Sequence, residues 1–147
     1  MGEIIREYYN TGELKSEVYA INGKKNGMYK KYHINGQLWE IFNYLDDKIN
    51  GEWTMYHMNG QLSHICNYID DKRNGEYKSY YKNGQLICIC NIIDDKKNGE
   101  FKSYRMNGRL WEICNYIDNK RNGLYKEYNR DGILIKECNY IMGELIS

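Results

Sequence analysis

Five cysteines and three histidines are the residues of this 147-residue chain best suited to covalent or metal chemistry. Thiolates and imidazoles ligate zinc, two thiols close a disulfide, and an imidazole with Asp and Ser partners activates a nucleophile. Their spacing argues against each. Cys66, Cys90, Cys114 and Cys138 recur every 24 residues, and His33 and His57 share that interval. Residues at one position of successive two-strand repeats lie on every second strand, so their Cα atoms are ~9–10 Å apart. A disulfide needs Cα atoms within about 7 Å, and zinc gathers thiolates around bonds of ~2.3 Å. Cys88 and Cys90 point to one side of a single strand and are not a Cys-x-x-Cys pair. His64 has no evident Asp or Ser partner at a fixed spacing. The sequence holds no Gly-x-Ser-x-Gly, no His-Glu-x-x-His and no phosphate-cradling glycine loop. The expectation is a non-enzymatic chain with no catalytic, metal or cofactor residues. Its thiols are expected to be small buried hydrophobes in a reducing compartment.

The elements that hold these residues follow from two glycine series. Asn-Gly occurs at 26–27, 50–51, 74–75, 98–99 and 122–123, and Gly12, Gly36, Gly60, Gly84, Gly108 and Gly132 form a second series with the same 24-residue step. Asn-Gly between β-rich runs favours a two-residue turn with φ > 0 at both central positions. The runs between turns are too short for helices and suit strands of roughly ten residues. The 16 tyrosines and the absence of proline agree with a sheet. The expected fold class is all-β: an elongated single antiparallel meander of tandem β-hairpins, about twelve strands in about six repeats. It forms one repeat domain over 1–147, with an N-terminal cap at 1–26 and a truncated C-terminal repeat at 133–147.

Folding about Asn83-Gly84 sets Tyr81 opposite Leu86, Ser79 opposite Cys88 and Tyr77 opposite Cys90. Folding about Asn98-Gly99 sets Lys97 opposite Glu100, Asp95 opposite Lys102 and Ile93 opposite Tyr104. Strict alternation then sorts the residues into two faces. A cysteine face carries Tyr29, Trp53, Tyr77, Phe101 and Tyr125 with the leucines of the Gly-x-Leu steps, Leu38 to Leu134, and with Phe42 and the four periodic cysteines. A lysine face carries Tyr32, Tyr56, Tyr80, Tyr104 and Tyr128 with Trp39, Ile87, Trp111 and Ile135, flanked by Lys78, Lys102, Glu76 and Glu100. The more apolar cysteine face is expected to be the core side. The Asp-Asp-Lys-Lys runs read as solvated turn and ladder charges.

The formal charge of +1 shows no basic excess for nucleic acid. The first residues lack the basic and apolar regions of a signal peptide, and no apolar run approaches the ~20 residues of a membrane helix. A soluble cytoplasmic protein is the expectation.

The unit Gly75-Glu76-Tyr77-Lys78-Ser79-Tyr80-Tyr81-Lys82-Asn83-Gly84-Gln85-Leu86, with similar units from Gly27, Gly51, Gly99 and Gly123, resembles the variant form of the MORN repeat. The resemblance covers nearly the whole chain. It implies hairpins stacked into a twisted sheet and a scaffold or adaptor role. Classical members are linked to phospholipid head groups, and bacterial variant members are described as antitoxin-like. Giant DNA viruses of amoebae carry such proteins, and the Asn, Ile, Lys and Tyr bias here is similar to theirs, which would place the chain in a host cytoplasm.

The functional expectation is a protein-binding scaffold. The alternatives are an accessory at a phospholipid membrane surface and an antitoxin-like neutralising partner. The partner-binding residues are taken as Tyr32, Trp39, Tyr56, Tyr80, Tyr104, Trp111 and Tyr128, since tyrosine and tryptophan are favoured contact residues. The last turn reads as four residues shorter than the others. The apolar strand after it, with Glu144, Leu145 and Ile146, is expected to be a self-association edge joining two copies in a homodimer.

Overall fold

A computed structural model of the chain describes residues 1–146. Among the described residues there are fifteen strands and no helix, and the strands that pair do so antiparallel. This is the all-β meander of tandem hairpins expected from the 24-residue period. The chain divides into two compact units, residues 1–72 and 73–147. The first holds β1 (Gly2–Tyr8), β2 (Leu14–Ile21), β3 (Lys24–Tyr32), β4 (Leu38–Leu45), β5 (Lys48–Tyr56) and β6 (Leu62–Ile69). A two-residue strand, β7 (Lys72–Arg73), stands at the division. The second unit holds β8 (Gly75–Tyr80), β9 (Leu86–Ile93), β10 (Lys96–Tyr104), β11 (Leu110–Ile117), β12 (Lys120–Arg121), β13 (Gly123–Tyr128), β14 (Leu134–Ile141) and β15 (Glu144–Leu145).

The two glycine series do different work. The Gly84 series lies at hairpin tips, where Gly84 N–H donates to the Tyr81 carbonyl and Tyr81 N–H to that of Gln85. Asn83 Oδ1 accepts from Gln85 N–H, and Gly84 takes the final left-handed position with φ 84°. Such a tip is a one-turn loop closed by a left-handed glycine. The Asn-Gly pairs of the series from 26–27 to 122–123 are not turns, contrary to expectation. The chain reverses four residues earlier, at Asp46-Asp47, Asp70-Asp71, Asp94-Asp95 and Asp118-Asn119, whose φ values lie between 48° and 68°. Asp and Asn are the residues other than Gly that tolerate this left-handed region, so two acids in a row can make the mirror-image two-residue turn. Ile93 therefore pairs with Lys96 and Ile92 with Lys97, not Ile93 with Tyr104 or Lys97 with Glu100. The final turn follows the same rule: Met142-Gly143 occupies the Asp-Asp position with φ 48° and 96°, so no residues are missing there.

Asn98-Gly99 instead forms a bulge inside β10. Lys97 faces Ile92 and Phe101 faces Cys90, so residues 98–100 span the single residue Asn91. Gly99 takes φ 89° there. The bulge asparagine and the acidic turn of the next repeat are bonded to each other. Asp118 N–H donates to Asn98 Oδ1 at 3.1 Å, and Asp70 N–H to Asn50 Oδ1 at 3.3 Å. The second turn residue binds the previous repeat's backbone both ways: Lys25 N–H to Asp47 Oδ1 at 2.7 Å and Asp47 N–H to the Lys25 carbonyl at 2.9 Å. The acidic runs are thus repeat-to-repeat fasteners. Counting β7 with β8 and β12 with β13 as strands broken by these bulges leaves thirteen strands among the fifteen described, one more than the approximate count expected.

A second ladder runs along the tips. Tyr9 Oη donates to the Tyr32 carbonyl at 2.7 Å, Tyr81 Oη to that of Tyr104 at 3.1 Å and Arg105 Nη2 to that of Tyr128 at 2.9 Å. His33 Nε2 lies 3.1 Å from the Tyr56 carbonyl. Three side-chain chemistries make one contact to the backbone 23 residues on. The periodic histidine is a fastener of the same kind.

The core lies on the cysteine face, as expected. In the second unit Cys90, Ile92, Phe101, Cys114, Tyr125 and Cys138 are buried, with Tyr77, Cys88, Tyr116 and Tyr140 packed on them. In the first, Val18, Ala20, Phe42 and Cys66 are buried, and Tyr29 stacks on Phe42 at 4.6 Å. Single-layer burial is completed by long cations laid over the rings, Lys25 on Tyr44, Lys97 on Phe101 and Arg121 on Tyr125 at 4.6–5.0 Å.

Candidate interaction surface

A second bulge decides which residues share a face. Tyr32 pairs with Leu38 while Lys31 pairs with Glu40, which makes Trp39 the extra residue; Tyr80 with Leu86 and Tyr104 with Leu110 repeat the step. Two residues opposing one breaks the alternation used to assign faces. Lys31 reaches both its paired residue and the extra one: its Nζ is 4.1 Å from the Trp39 ring and 3.9 Å from Glu40 Oε1. Trp111 Nε1 donates to Glu127 Oε1 at 3.3 Å, and Glu127 and Glu112 share the Tyr125 hydroxyl at 3.1 Å. The tryptophans therefore sit with the cysteine face, near the tips. The leucines move the other way: Leu86 lines a groove with Ile89, Asn91, Glu100, Lys102 and Tyr104.

The expected stripe is thus split. Tyr32 and Tyr56 in the first unit, and Tyr80, Tyr104 and Tyr128 in the second, remain on the lysine face, each half-buried. Trp39 and Trp111 leave it, because the bulge turns them over; the leucines that replace them were assigned to the wrong side for the same reason. The signal that could have found this is the constant Asn-Gly-x-Leu step, which places the leucine one residue too near the turn for unbroken alternation.

On the lysine face, Lys and Glu alternate in contact. Lys78 pairs with Glu76, Lys102 with Glu100, and Lys126 with Glu137 at 3.3 Å. Hydrogen bonding to Glu76 and Glu100 raises the Lys78 and Lys102 pKa values, so these two ammonium groups are held charged. Tyr32 keeps its phenol proton to higher pH through burial and its bond to Glu17, 3.1 Å away. The groove by Leu86 has a volume of about 380 Å³. The surface is amphipathic and locally neutral, apolar along the Tyr–Leu–Ile rows and polar at its borders. Such a surface can be covered by a protein without leaving buried charge unpaired.

The cysteines stay inside the core. Burial, reinforced by neighbouring Cys88, pushes the Cys90 thiol up to about 11, and burial with Glu112 nearby raises Cys114. A thiol held protonated is a poor nucleophile and a poor ligand. His64 does have a neighbour, since Ser63 Oγ lies 2.7 Å from its Nδ1. Ser63 is 4% exposed, His64 is half-buried, and burial lowers the His64 pKa. Among the described residues no cluster of three His, Cys, Asp or Glu side chains is placed to hold a metal ion. Glu144 and Leu145 form β15 against Ile141 and Tyr140, with Leu145 and Ile146 of the expected edge exposed.

Among solved structures, the chain is similar to the GtfA/B complex bound to UDP and GlcNAc, at 14% identity and a TM-score of 0.30. The match covers 78% of this chain and 24% of that one. It is also similar to a protein of unknown function from Bacteroides fragilis NCTC 9343, at 12% identity and a TM-score of 0.14, covering 96% and 94% of the two chains. The chain spans about a quarter of the length of the first of these. No curated protein matches it. A family model described as the MORN repeat variant matches residues 25–46, 49–70, 73–94 and 121–142. Each match starts within the bulged strand or at its head and ends in the following turn, so the family unit and the structural unit coincide. With four matched copies covering more than half of its residues, the chain belongs to the MORN repeat variant family.

Proposed function

We propose that this protein is a non-enzymatic scaffold that binds another protein across the lysine face. The observation that carries the reading is the tyrosine row Tyr80, Tyr104 and Tyr128, aligned with Leu86 and Ile89 and bordered by charges that are already paired. Tyrosine supplies large contact area at low conformational cost, and pre-paired charges need no partner charge to be covered. Neutral pairing also argues against attraction to an anionic bilayer, which acts on unneutralised basic residues.

The test uses the full chain as bait in cells of its source, beside sedimentation with vesicles of phosphatidylcholine alone or with phosphatidylserine. The expected result is a protein captured by the native chain and lost from a Tyr80→Ser/Tyr104→Ser variant whose β-sheet spectrum is unchanged, with no sedimentation in either vesicle arm. Co-sedimentation with phosphatidylserine vesicles and no captured protein would overturn the reading in favour of a membrane accessory.

A further inference from the structure

The chain has six arginines, and the structure divides them evenly. Arg6 lies 3.4 Å from Glu17, Arg73 2.9 Å from Asp95 and Arg121 3.6 Å from Glu112. Among the described residues no carboxylate lies within 4.0 Å of the side-chain nitrogens of Arg105, Arg109 or Arg130. Those three belong to the tips of two adjoining hairpins, β10–β11 and β13–β14. They are held in place by carbonyls instead: Arg105 Nη2 by Tyr128 and Arg109 Nη1 by Arg130, each at 2.9 Å.

Around them is a concavity of about 400 Å³ lined by Tyr81, Arg105, Met106, Asn107, Trp111 and Arg130, with no acid in its walls. Its floor is Trp111, which is 41% exposed, with the Arg105 guanidinium carbon 5.0 Å from the centre of its ring. Arg105 Nε is enclosed and has no hydrogen-bond acceptor. An arginine stacked on an indole, anchored at one nitrogen and lacking a counter-ion, is a preorganised receptor for a carboxylate. Asp131 is the one acid in the two tip loops, against three arginines. The corresponding tip of the first unit differs: Trp39 is covered by His33, stacked at 5.2 Å, and by Lys31, and Gln37 stands where Arg109 does.

We propose that the β10–β11 and β13–β14 tips form a docking site for an acidic segment of a protein partner, an aspartate or glutamate on Arg105 and Arg130 with an adjacent apolar side chain on Trp111 and Met106. The proposal rests on the scaffold reading and names the chemistry of the partner. Charge complementarity and the planar fork of each guanidinium favour a carboxylate. Bilayer recognition draws on clusters of about 4–8 basic residues, more than these tips hold.

The test is a titration of the ¹⁵N-labelled full chain, read at its three indole N–H signals, which Trp→Phe variants assign. The probes are the blocked peptide acetyl-Phe-Asp-Glu-Asp-amide, its neutral counterpart acetyl-Phe-Asn-Gln-Asn-amide, inorganic phosphate, and phosphatidylserine vesicles. The acidic peptide should shift the Trp111 signal and leave those of Trp39 and Trp53 in place, and the neutral peptide should shift none. Arg105→Gln, and separately the more exposed Arg130→Gln, should each weaken the acidic peptide about tenfold. An unmoved Trp111, an equal response to the neutral peptide, or a response confined to phosphate or vesicles would overturn the proposal. If Trp111 stays silent while the Tyr80/Tyr104 variant loses its captured protein, the docking site is wrong and the scaffold reading stands. If the acidic peptide binds as described and no protein is captured from cells, the scaffold reading fails and the carboxylate site remains.

Discussion

The thiol of Cys90 shows how burial sets chemistry at the residue scale. Its ordinary value of 9.0 rises to about 11 because the packed face around it, Cys88 included, disfavours a thiolate. Burial, with Glu112 close by, raises Tyr125 in the same direction, and burial with Glu40 raises Tyr29. The sign of the stability effect follows. Between about 9 and 11 the folded thiol keeps its proton while the unfolded one loses it, so the contribution is complete below the unfolded value and is lost as pH rises through the folded one. The buried tyrosines add to this, and so do Lys78 and Lys102, whose raised values protect charges that are lost in the same direction. Melting temperature should be level up to pH 8 and fall steadily towards pH 11, and Cys90 should react slowly with iodoacetamide in native protein at pH 8. A flat melting profile across that range would show that these groups are as hydrated as in the unfolded chain.

At the scale of elements, glycine and aspartate positions carry separate costs that can be measured. A Cβ built on Gly99 would meet nothing within 4 Å, so the obstacle to alanine there is the backbone, with φ at 89°. Gly99→Ala should destabilise by about 1–2 kcal/mol in urea titration. D-Alanine at that position, introduced by ligation, should be tolerated. At the turns, Asp47→Asn should be nearly neutral, because Asn119 already fills the equivalent place and accepts the Lys97 N–H at 2.7 Å. Asp47→Val should cost about 2–3 kcal/mol, combining left-handed strain on a branched residue with the loss of the bond to Lys25. Equal stability of the two Asp47 variants would contradict the turn assignment.

These elements also mark how far the sequence could be read. The period, the hairpins and the cysteine-side core were legible because identical spacings recur and each strand alternates between its bulges. Ser79 opposite Cys88 and Tyr77 opposite Cys90 were placed correctly, since the tip at Asn83-Gly84 does reverse the chain. The other reversal was misplaced by four residues. Asn-Gly outweighs Asp-Asp as a two-residue turn by local preference alone, and only the bonds between successive repeats tip the balance, as in Asn98 with Asp118 and Lys25 with Asp47. The faces of Trp39 and Trp111 were misassigned because one extra residue in a bulge inverts everything up to the next irregularity. The arginine cluster was missed for a further reason: its members stand at positions that other residues fill in other repeats, and their shared lack of carboxylates becomes visible only when the other arginines are seen to be paired.

For the molecule as a whole, chemistry has been traded for regularity. Its histidine at 33 and its turn acids are spent on joining repeats, and its buried cysteines on filling the core. The half-buried tyrosine row and the arginines without a carboxylate are the two surfaces proposed for contact. The central claim is that the lysine face is where another protein lies. Site-specific incorporation of a benzophenone amino acid in the full chain, expressed in cells of its source and irradiated, tests it most directly. Replacement of Tyr104 on the lysine face should yield a covalent adduct with another protein, and replacement of Tyr77 on the cysteine face should yield none. An adduct from position 77 alone, or no protein adduct from positions 80, 104 and 128 in turn, would contradict it.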